Sequence, residues 1–280
     1  FSALEAFSQQ NSSASHVIFL PGKLDVPPLT ASYQEPRVGL RKEIATSKLK
    51  LDIGASLDML EFRPGADSTD RFRFGIDFFT YALSTNSEGL RLQIDAVDGY
   101  FGGHISFVHQ RSTDSRFALR LRLHHLSAHF LDGHFSNATQ TWKDNRPPLP
   151  FTRDFGELLA SKDFPIGEIS LKIYGGFSYA TLVRPTNIQR FEVLAGFELH
   201  SMTNTLFDKP FNVYVADHFG LRGIPAYVGT NNLEFGVKMG EWNSSGLKIY
   251  FSYYSGLDVF SQYYDVRREN WGIGFAFDFW

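Results

Sequence analysis

The chain has 280 residues, 16% of them aromatic, with a net charge of −3, a mean hydropathy of −0.19 and no cysteine. This charge gives no basic field, so nucleic acid is not an expected partner, and the lack of cysteine excludes disulfides, a lipoprotein anchor and cysteine-type metal sites. No run of about 18 apolar residues occurs, which excludes a transmembrane helix but not a β-barrel, whose strands alternate apolar and polar residues.

The first 35 residues lack a regular alternation of apolar and polar side chains. Phe1–Gln10 has the pattern of a short helix, and Asn11–Ser15 that of a polar linker. Phe19–Leu29 is interrupted by prolines, which central strands exclude, so we expect an extended segment there.

From Arg37 onward the hydrophobic period is two. Phe72, Phe74, Ile76 and Phe78, for example, alternate with charged residues and glycine. The predicted strands are about 10 to 14 residues long, which exceeds the usual length in globular sheets and matches a tilted crossing of a bilayer. Several aromatic residues near strand ends are typical of the girdle at a membrane surface: Phe79, Tyr81, Tyr179, Trp242 and Tyr253. The alternative is a soluble sandwich whose polar face is solvated.

The number of strands is predicted from the polar residues that form turns. Ser112–Ser115, Lys162–Pro165 and Asn243–Gly246 are predicted tight turns, and Gly133–Pro150 is the longest irregular stretch. The sequence therefore predicts an all-β fold, a transmembrane antiparallel β-barrel of about 12 strands. Arg153–Ser161 is counted as a strand, with a short surface helix as its alternative.

The last strand, Trp271–Trp280, carries five large apolar residues on one face and ends on an aromatic residue. It resembles the closing strand of bacterial outer-membrane β-barrels, in which the terminal aromatic belongs to the assembly signal. The resemblance places the C-terminus in the periplasm and Gly133–Pro150 outside the cell. Residues 1–35 are then an N-terminal segment in the periplasm or in the barrel mouth, and residues 36–280 form the barrel.

One strand, Arg116–Asp132, contains a change of phase. Its apolar residues stand at odd-numbered positions up to Leu123 and at even-numbered positions from Leu126 to Phe130. A one-residue slip moves side chains to the other face, so we predict a bulge near His124–His125. With that bulge, three polar side chains point into the lumen and a carboxylate follows at the extracellular rim: His125, Ser127, His129 and Asp132. The preceding strand would set Gly99–Gly103 opposite His124–Ala128, and Asp98 opposite His129.

This group has three interpretations. Ser127 with His125 or His129 and Asp132 has the residue types of a nucleophile, a base and an orienting carboxylate. The His-x-x-x-His-x-x-Asp spacing could instead bind a divalent metal, the one cofactor that the sequence suggests. The third interpretation, which we favour, is a hydrogen-bonded polar plug in a narrow lumen. Six further charged residues are predicted to share that lumen: Arg73, Asp77, Arg91, Asp95, Arg120 and Arg122.

Three segments resemble a bacterial outer-membrane family known only as a conserved domain of unknown function. They are Pro21–Ala31 continued by Glu35–Leu40, Arg122–Asp132, and Tyr253–Tyr264 leading into the last strand. The second is similar to the His-x-Ser-Ser-His-Leu-Gly-Asp run of that family, with Ala128, Leu131 and Gly133 as departures. The resemblance implies a barrel in the outer membrane and no particular reaction.

The predicted function is an integral outer-membrane barrel that serves as a noncatalytic structural, assembly-accessory or narrow-channel component. Its expected partners are outer-membrane lipid and, in the accessory role, other outer-membrane subunits contacted through Gly133–Pro150. The alternative is a hydrolase that cleaves phospholipid or lipid A acyl chains with Ser127. Outer-membrane phospholipase and lipid A deacylase barrels are similar in strand number, which is an analogy of fold alone.

Overall fold

The computed structural model describes residues 15–65, 68–87, 89–110, 115–201, 204–206 and 208–279. The helix predicted for Phe1–Gln10 and most of the linker Asn11–Ser15 lie outside these residues, as does most of the predicted turn Ser112–Ser115. In the part of the chain that is described, no helix is long and apolar enough to cross a membrane.

Twelve antiparallel strands form the wall of the molecule. They are β1 Val38–Glu43, β2 Leu49–Arg63, β3 Asp70–Ser87, β4 Leu90–Gln110, β5 Arg116–Phe130, β6 Phe151–Ile166, β7 Ile169–Arg184, β8 Phe191–Ser201, β9 Lys209–Gly223, β10 Tyr227–Met239, β11 Gly246–Leu257 and β12 Arg267–Asp278. Each strand pairs with the next along the chain, and β1 also pairs with β12, which closes the sheet. The predicted antiparallel barrel of about twelve strands is confirmed, and Arg153–Ser161 lies in β6 as a strand.

The outward face of the barrel is apolar. On β12 the outward residues are Trp271, Ile273, Phe275 and Phe277, each at least 40% exposed, and β3 presents Phe74, Ile76 and Phe78 in the same way. Large apolar side chains point outward on the other long strands as well, including Phe101, Ile173, Val213 and Phe251. A closed sheet satisfies its backbone internally and a lipid environment covers such a surface, so this is a membrane-spanning barrel and not a soluble sandwich.

The two ends of the barrel differ in the length of the loops that connect the strands. The end at which β12 finishes is called here the short-turn end, and it carries hairpin turns such as residues 167–168 between β6 and β7. The opposite, long-loop end carries residues 131–150 between β5 and β6 and residues 258–266 between β11 and β12. The predicted turn at Lys162–Pro165 is wrong, because β6 continues to Ile166 and the chain reverses at Gly167, whose φ of 62° favours glycine.

The interior is filled by the chain itself. Residues 20–37, called here the plug segment, cross the lumen, and Leu29, Ala31 and Tyr33 are buried there. Before it, the short strand His16–Phe19 pairs with Leu60–Arg63 at the short-turn end of β2. The plug segment therefore enters and leaves at the same end, since Val38 of β1 lies beside Phe277 near the end of β12.

An apolar cluster occupies the half of the interior nearer the long loops. It contains Phe79, Tyr81, Leu83, Tyr100, Leu126, Phe130, Phe151 and Phe155 with Phe260 and Tyr263 from residues 258–266. The girdle prediction is wrong for Phe79 and Tyr81, each 1% exposed, because the alternation of β3 directs them inward. Tyr179 does point outward.

Candidate functional site

Strand β5 has no phase change. It pairs with β4 and with β6 in unbroken register, so the predicted bulge near His124–His125 is wrong. Arg122 and His124 face the interior, whereas His125, Ser127 and His129 face outward and not into the lumen. The prediction failed because the even-numbered apolar residues Leu126, Ala128 and Phe130 belong to the interior cluster and not to the lipid-facing surface.

On the outward face, His125 pairs with a carboxylate from the next strand. Its Nδ1 lies 2.6 Å from Oδ1 of Asp154 on β6, and the Phe101 ring stands 4.8 Å from the imidazole between ring centroids. Ser127 follows on the same face, opposite Thr152 of β6. Asp154 was missed in the sequence because its meeting with His125 depends on the register between β5 and β6.

The other predicted members of this group lie apart. Asp132 bonds its own neighbour in the chain, since its Oδ1 accepts from the N–H of Gly133, 3.0 Å away. Gly99 lies opposite Ser127 and Asp98 lies opposite Ala128, each one residue from the approximate register that was expected. The Asp98 carboxylate is buried and accepts from the Ser261 N–H at 3.0 Å. Among the described residues, no three or more His, Asp or Glu side chains are placed to hold a metal ion, so His125, His129 and Asp132 do not gather into a ligand set.

Among the ion clusters that join wall strands inside the described part of the barrel, two contain residues that were predicted in the lumen. The first runs from β2 to β5 through Glu61, Arg73, Asp58, His104, Asp77 and His124. Within it, Arg73 Nη1 donates to Asp58 at 2.7 Å, and the two ring nitrogens of His104 lie 2.8 Å from Asp58 and 3.0 Å from Asp77. His124 Nε2 contacts the other Asp77 oxygen at 2.8 Å.

The second cluster attaches the plug segment to the wall. Arg122 binds Glu157 of β6 with two hydrogen bonds of 3.0 and 2.8 Å, and its Nη1 lies 3.2 Å from Glu35 of the plug segment. Arg120 also binds Glu35, at 3.1 Å. Asp95, the remaining predicted lumen acid, is buried beside Tyr263, whose hydroxyl donates to it at 3.0 Å. The Arg91 side chain lies outside the described residues.

A cavity that opens to solvent lies between the plug segment and the long-loop end, and its empty space, open solvent included, is about 770 Å³. Its walls come from β1, β2, β10, β11 and β12, and its floor includes Tyr33 and Glu35 of the plug segment. At the mouth, burial raises the pKa of Asp258, an effect that the Arg268 guanidinium 2.8 Å away opposes. This cavity could not be predicted from sequence patterns, because its lining combines residues that are distant along the chain.

No protein-family model matches the chain, and no curated protein matches it. Three bacterial proteins are among the solved structures to which it is similar. The beta domain of the Bordetella autotransporter BrkA is 12% identical, with 86% of this chain and 97% of that chain covered and a TM-score of 0.47. OmpT of Vibrio cholerae is 10% identical, with 86% and 95% covered and a TM-score of 0.33. A bacterial polysaccharide outer-membrane secretin is likewise 10% identical, with 86% and 96% covered and a TM-score of 0.33.

This chain is an outer-membrane β-barrel. The closed antiparallel sheet with an even number of strands, the outward apolar surface and the loops that are long at one end carry that assignment. The predicted location in the outer membrane follows from the same features. Membership of the family of unknown function stays a prediction.

Proposed function

We propose that this outer-membrane barrel is a noncatalytic structural or assembly-accessory component whose lumen is closed to solutes. The observation that supports the proposal most directly is the plug segment. Its attachments reach opposite walls of the barrel: Asp25 N–H to Asp58 at 2.9 Å, Thr30 N–H to Glu198 at 2.6 Å, and Arg37 to Glu234 at 3.2 Å. A narrow-channel role has little support in an interior filled in this way.

The long-loop end is also bridged. Gln262, in residues 258–266, donates to the carbonyl oxygens of Ala128 and Leu149 at 2.7 and 2.8 Å. Arg146, in residues 131–150, contacts Asp265 at 2.7 Å. These bonds hold the two long loops together as one surface, and a fixed surface of this kind suits an accessory role because docking costs it little loop ordering.

The closed lumen is tested with the full chain folded in detergent and reconstituted into planar bilayers. We expect the unheated protein to migrate on a gel as a compact, heat-modifiable species and to give no stepwise current. A steady current from that compact species would favour the narrow-channel role over the closed one. If no heat-modifiable species formed, the membrane barrel itself would be contradicted.

A second candidate function is acyl hydrolysis at the lipid surface, and the His125–Asp154 pair is the observation that favours it. In that reaction Asp154 would orient His125, whose free Nε2 would take the proton of Ser127 as its oxygen attacks an ester carbonyl. The acyl–oxygen bond breaks, the alkoxide leaves with the proton, and water releases the fatty acid from Ser127. These residues lie in the long-loop half of β5, so the substrate would be lipid of the adjoining leaflet.

The two functions are separated by measuring fatty acid release from phospholipid and from lipid A, with and without divalent metal. Under the noncatalytic proposal we expect no release by the wild-type barrel. Release that Ser127→Ala reduces to background, while Ser255→Ala does not, would instead establish the hydrolase. Ser255 is the matched control because it lies on β11, on the opposite wall, and is half-buried like Ser127.

A further inference from the structure

We propose that the cavity between the plug segment and the long-loop end binds a small organic monoanion, a carboxylate with an apolar body, through Arg41. Arg41 projects from β1 into this cavity and is part of its lining. The proposal concerns a site that is separate from the outward His125–Asp154 pair, and it is independent of the closed-lumen role.

Arg41 is a cation held by neutral groups. Its Nε donates to Ser252 Oγ at 2.6 Å, and one terminal nitrogen donates to Oδ1 of Asn270 at 2.5 Å. Within the described residues, no carboxylate oxygen lies within 4.0 Å of the guanidinium, and its Nη1 has no hydrogen-bond partner. A guanidinium has five N–H donors and no acceptor, so the free edge in the cavity suits a carboxylate.

The neighbouring cations are already paired. Arg37 contacts Glu234 at 3.2 Å, Arg268 contacts Asp258 at 2.8 Å, and Lys50 contacts Asp52. Glu35 in the cavity floor is paired with Arg120 and Arg122. Among the arginines of the described lining, Arg41 is therefore the one that no carboxylate contacts within 4.0 Å, and its free edge can take one carboxylate.

The cavity also supplies an apolar surface. Leu83, Tyr254, Val259 and Phe260 line it together with the polar groups around Arg41. A pocket that combines such a wall with one well-placed cation is suited to a ligand that has an apolar body and a charged head. The floor at Glu35 and Glu234 is buried, whereas Arg268 at the mouth has a side chain 33% exposed, so the ligand would enter from the long-loop end.

The test is a calorimetric titration of benzoate into the full chain folded in detergent, with acetate and benzamide as comparison ligands. We expect saturable binding of benzoate, weaker binding of acetate because it lacks the apolar body, and no binding of benzamide because it lacks the charge. Arg41→Gln should weaken benzoate binding by about 10-fold to 100-fold, as expected for loss of a charge-assisted hydrogen-bonded pair. Lys42→Gln should leave it unchanged.

Lys42 is the matched control because it is the next cation on β1 and lies outside the cavity lining. A second variant, Val259→Trp, keeps Arg41 and fills the cavity from a loop, and it should also abolish benzoate binding. The proposal is overturned if the compact wild-type barrel shows no saturable benzoate binding, if Arg41→Gln or Val259→Trp binds as well as the wild type, or if benzamide binds as tightly as benzoate.

Discussion

Replacing Arg122 by methionine should lower the free energy of unfolding by about 3–5 kcal/mol. The Arg122 side chain is 3% exposed and binds Glu157 with two hydrogen bonds while also contacting Glu35. Methionine retains most of the apolar stem, so the expected loss reflects the charge. Two carboxylates, one on β6 and one on the plug segment, would be left buried with Arg120 as their remaining nearby cation.

The measurement is urea unfolding of the barrel in lipid vesicles, followed by tryptophan fluorescence. Arg63→Met is the control, because Arg63 also pairs with a buried carboxylate, Glu61, but its own side chain is 33% exposed. A partly solvated pair of this kind should change the free energy by only about 0–1 kcal/mol. Adding Glu157→Gln to Arg122→Met should restore part of the loss. Equal losses for Arg122→Met and Arg63→Met would contradict the importance assigned to the buried cluster.

Glu35→Lys should convert the closed barrel into a conducting one. Glu35 holds the plug segment against Arg120 and Arg122, so a lysine there places three cations together in the interior. Because the segment enters and leaves at the short-turn end, repulsion can displace it toward that end without unthreading the chain. The cavity above the plug segment would then lose part of its floor, which includes Glu35, and connect the two ends of the barrel.

Single-channel recording in planar bilayers measures this effect. We expect stepwise currents from Glu35→Lys and none from Glu43→Lys, which makes the same charge change at the cavity lining away from the plug segment. Both variants should first be shown to migrate as the compact species. A folded Glu35→Lys barrel without current would mean that the interior stays sealed without this attachment, and current from both variants would mean that any added cation opens it.

The alternation of outward apolar residues could be predicted from the sequence because lipid imposes one rule on every strand. Phe74, Ile76 and Phe78 on β3 and Ile273 and Phe275 on β12 follow it, and the number of strands was predicted from the polar turns between such segments. The same rule led to the wrong prediction of a bulge in β5. Leu126 and Phe130 are apolar there because the interior has its own apolar cluster. Parity shows which residues share a face, but it does not show which face is the lipid side when both sides are apolar.

Among the residues of the candidate site, the sequence likewise predicts the position of some but not the partners that they contact. Asp77 and Arg122 were predicted in the lumen and are buried there, because charges that alternate with lipid-facing residues have no other place to go. Their partners, His104 on β4 and Glu157 on β6, come from other strands, so identifying them requires the register. The role of Glu35 was equally hidden, since a segment without periodicity gives no sign that it crosses the interior.

The unequal lengths of the first two strands leave an edge of β2 that the residues just before the plug segment cover. Strand β1 spans 6 residues and β2 spans 15, so β2 extends beyond its neighbour toward the short-turn end. An uncovered edge of this kind is a template for pairing with another chain, and an unpaired backbone group in lipid costs several kcal/mol. His16–Phe19 pairs with the last part of β2, and the Leu20 N–H continues the contact to Met59 O at 3.0 Å. The chain thus covers this edge of β2 with His16–Phe19 before it enters the lumen, and an edge covered in this way cannot pair with another chain.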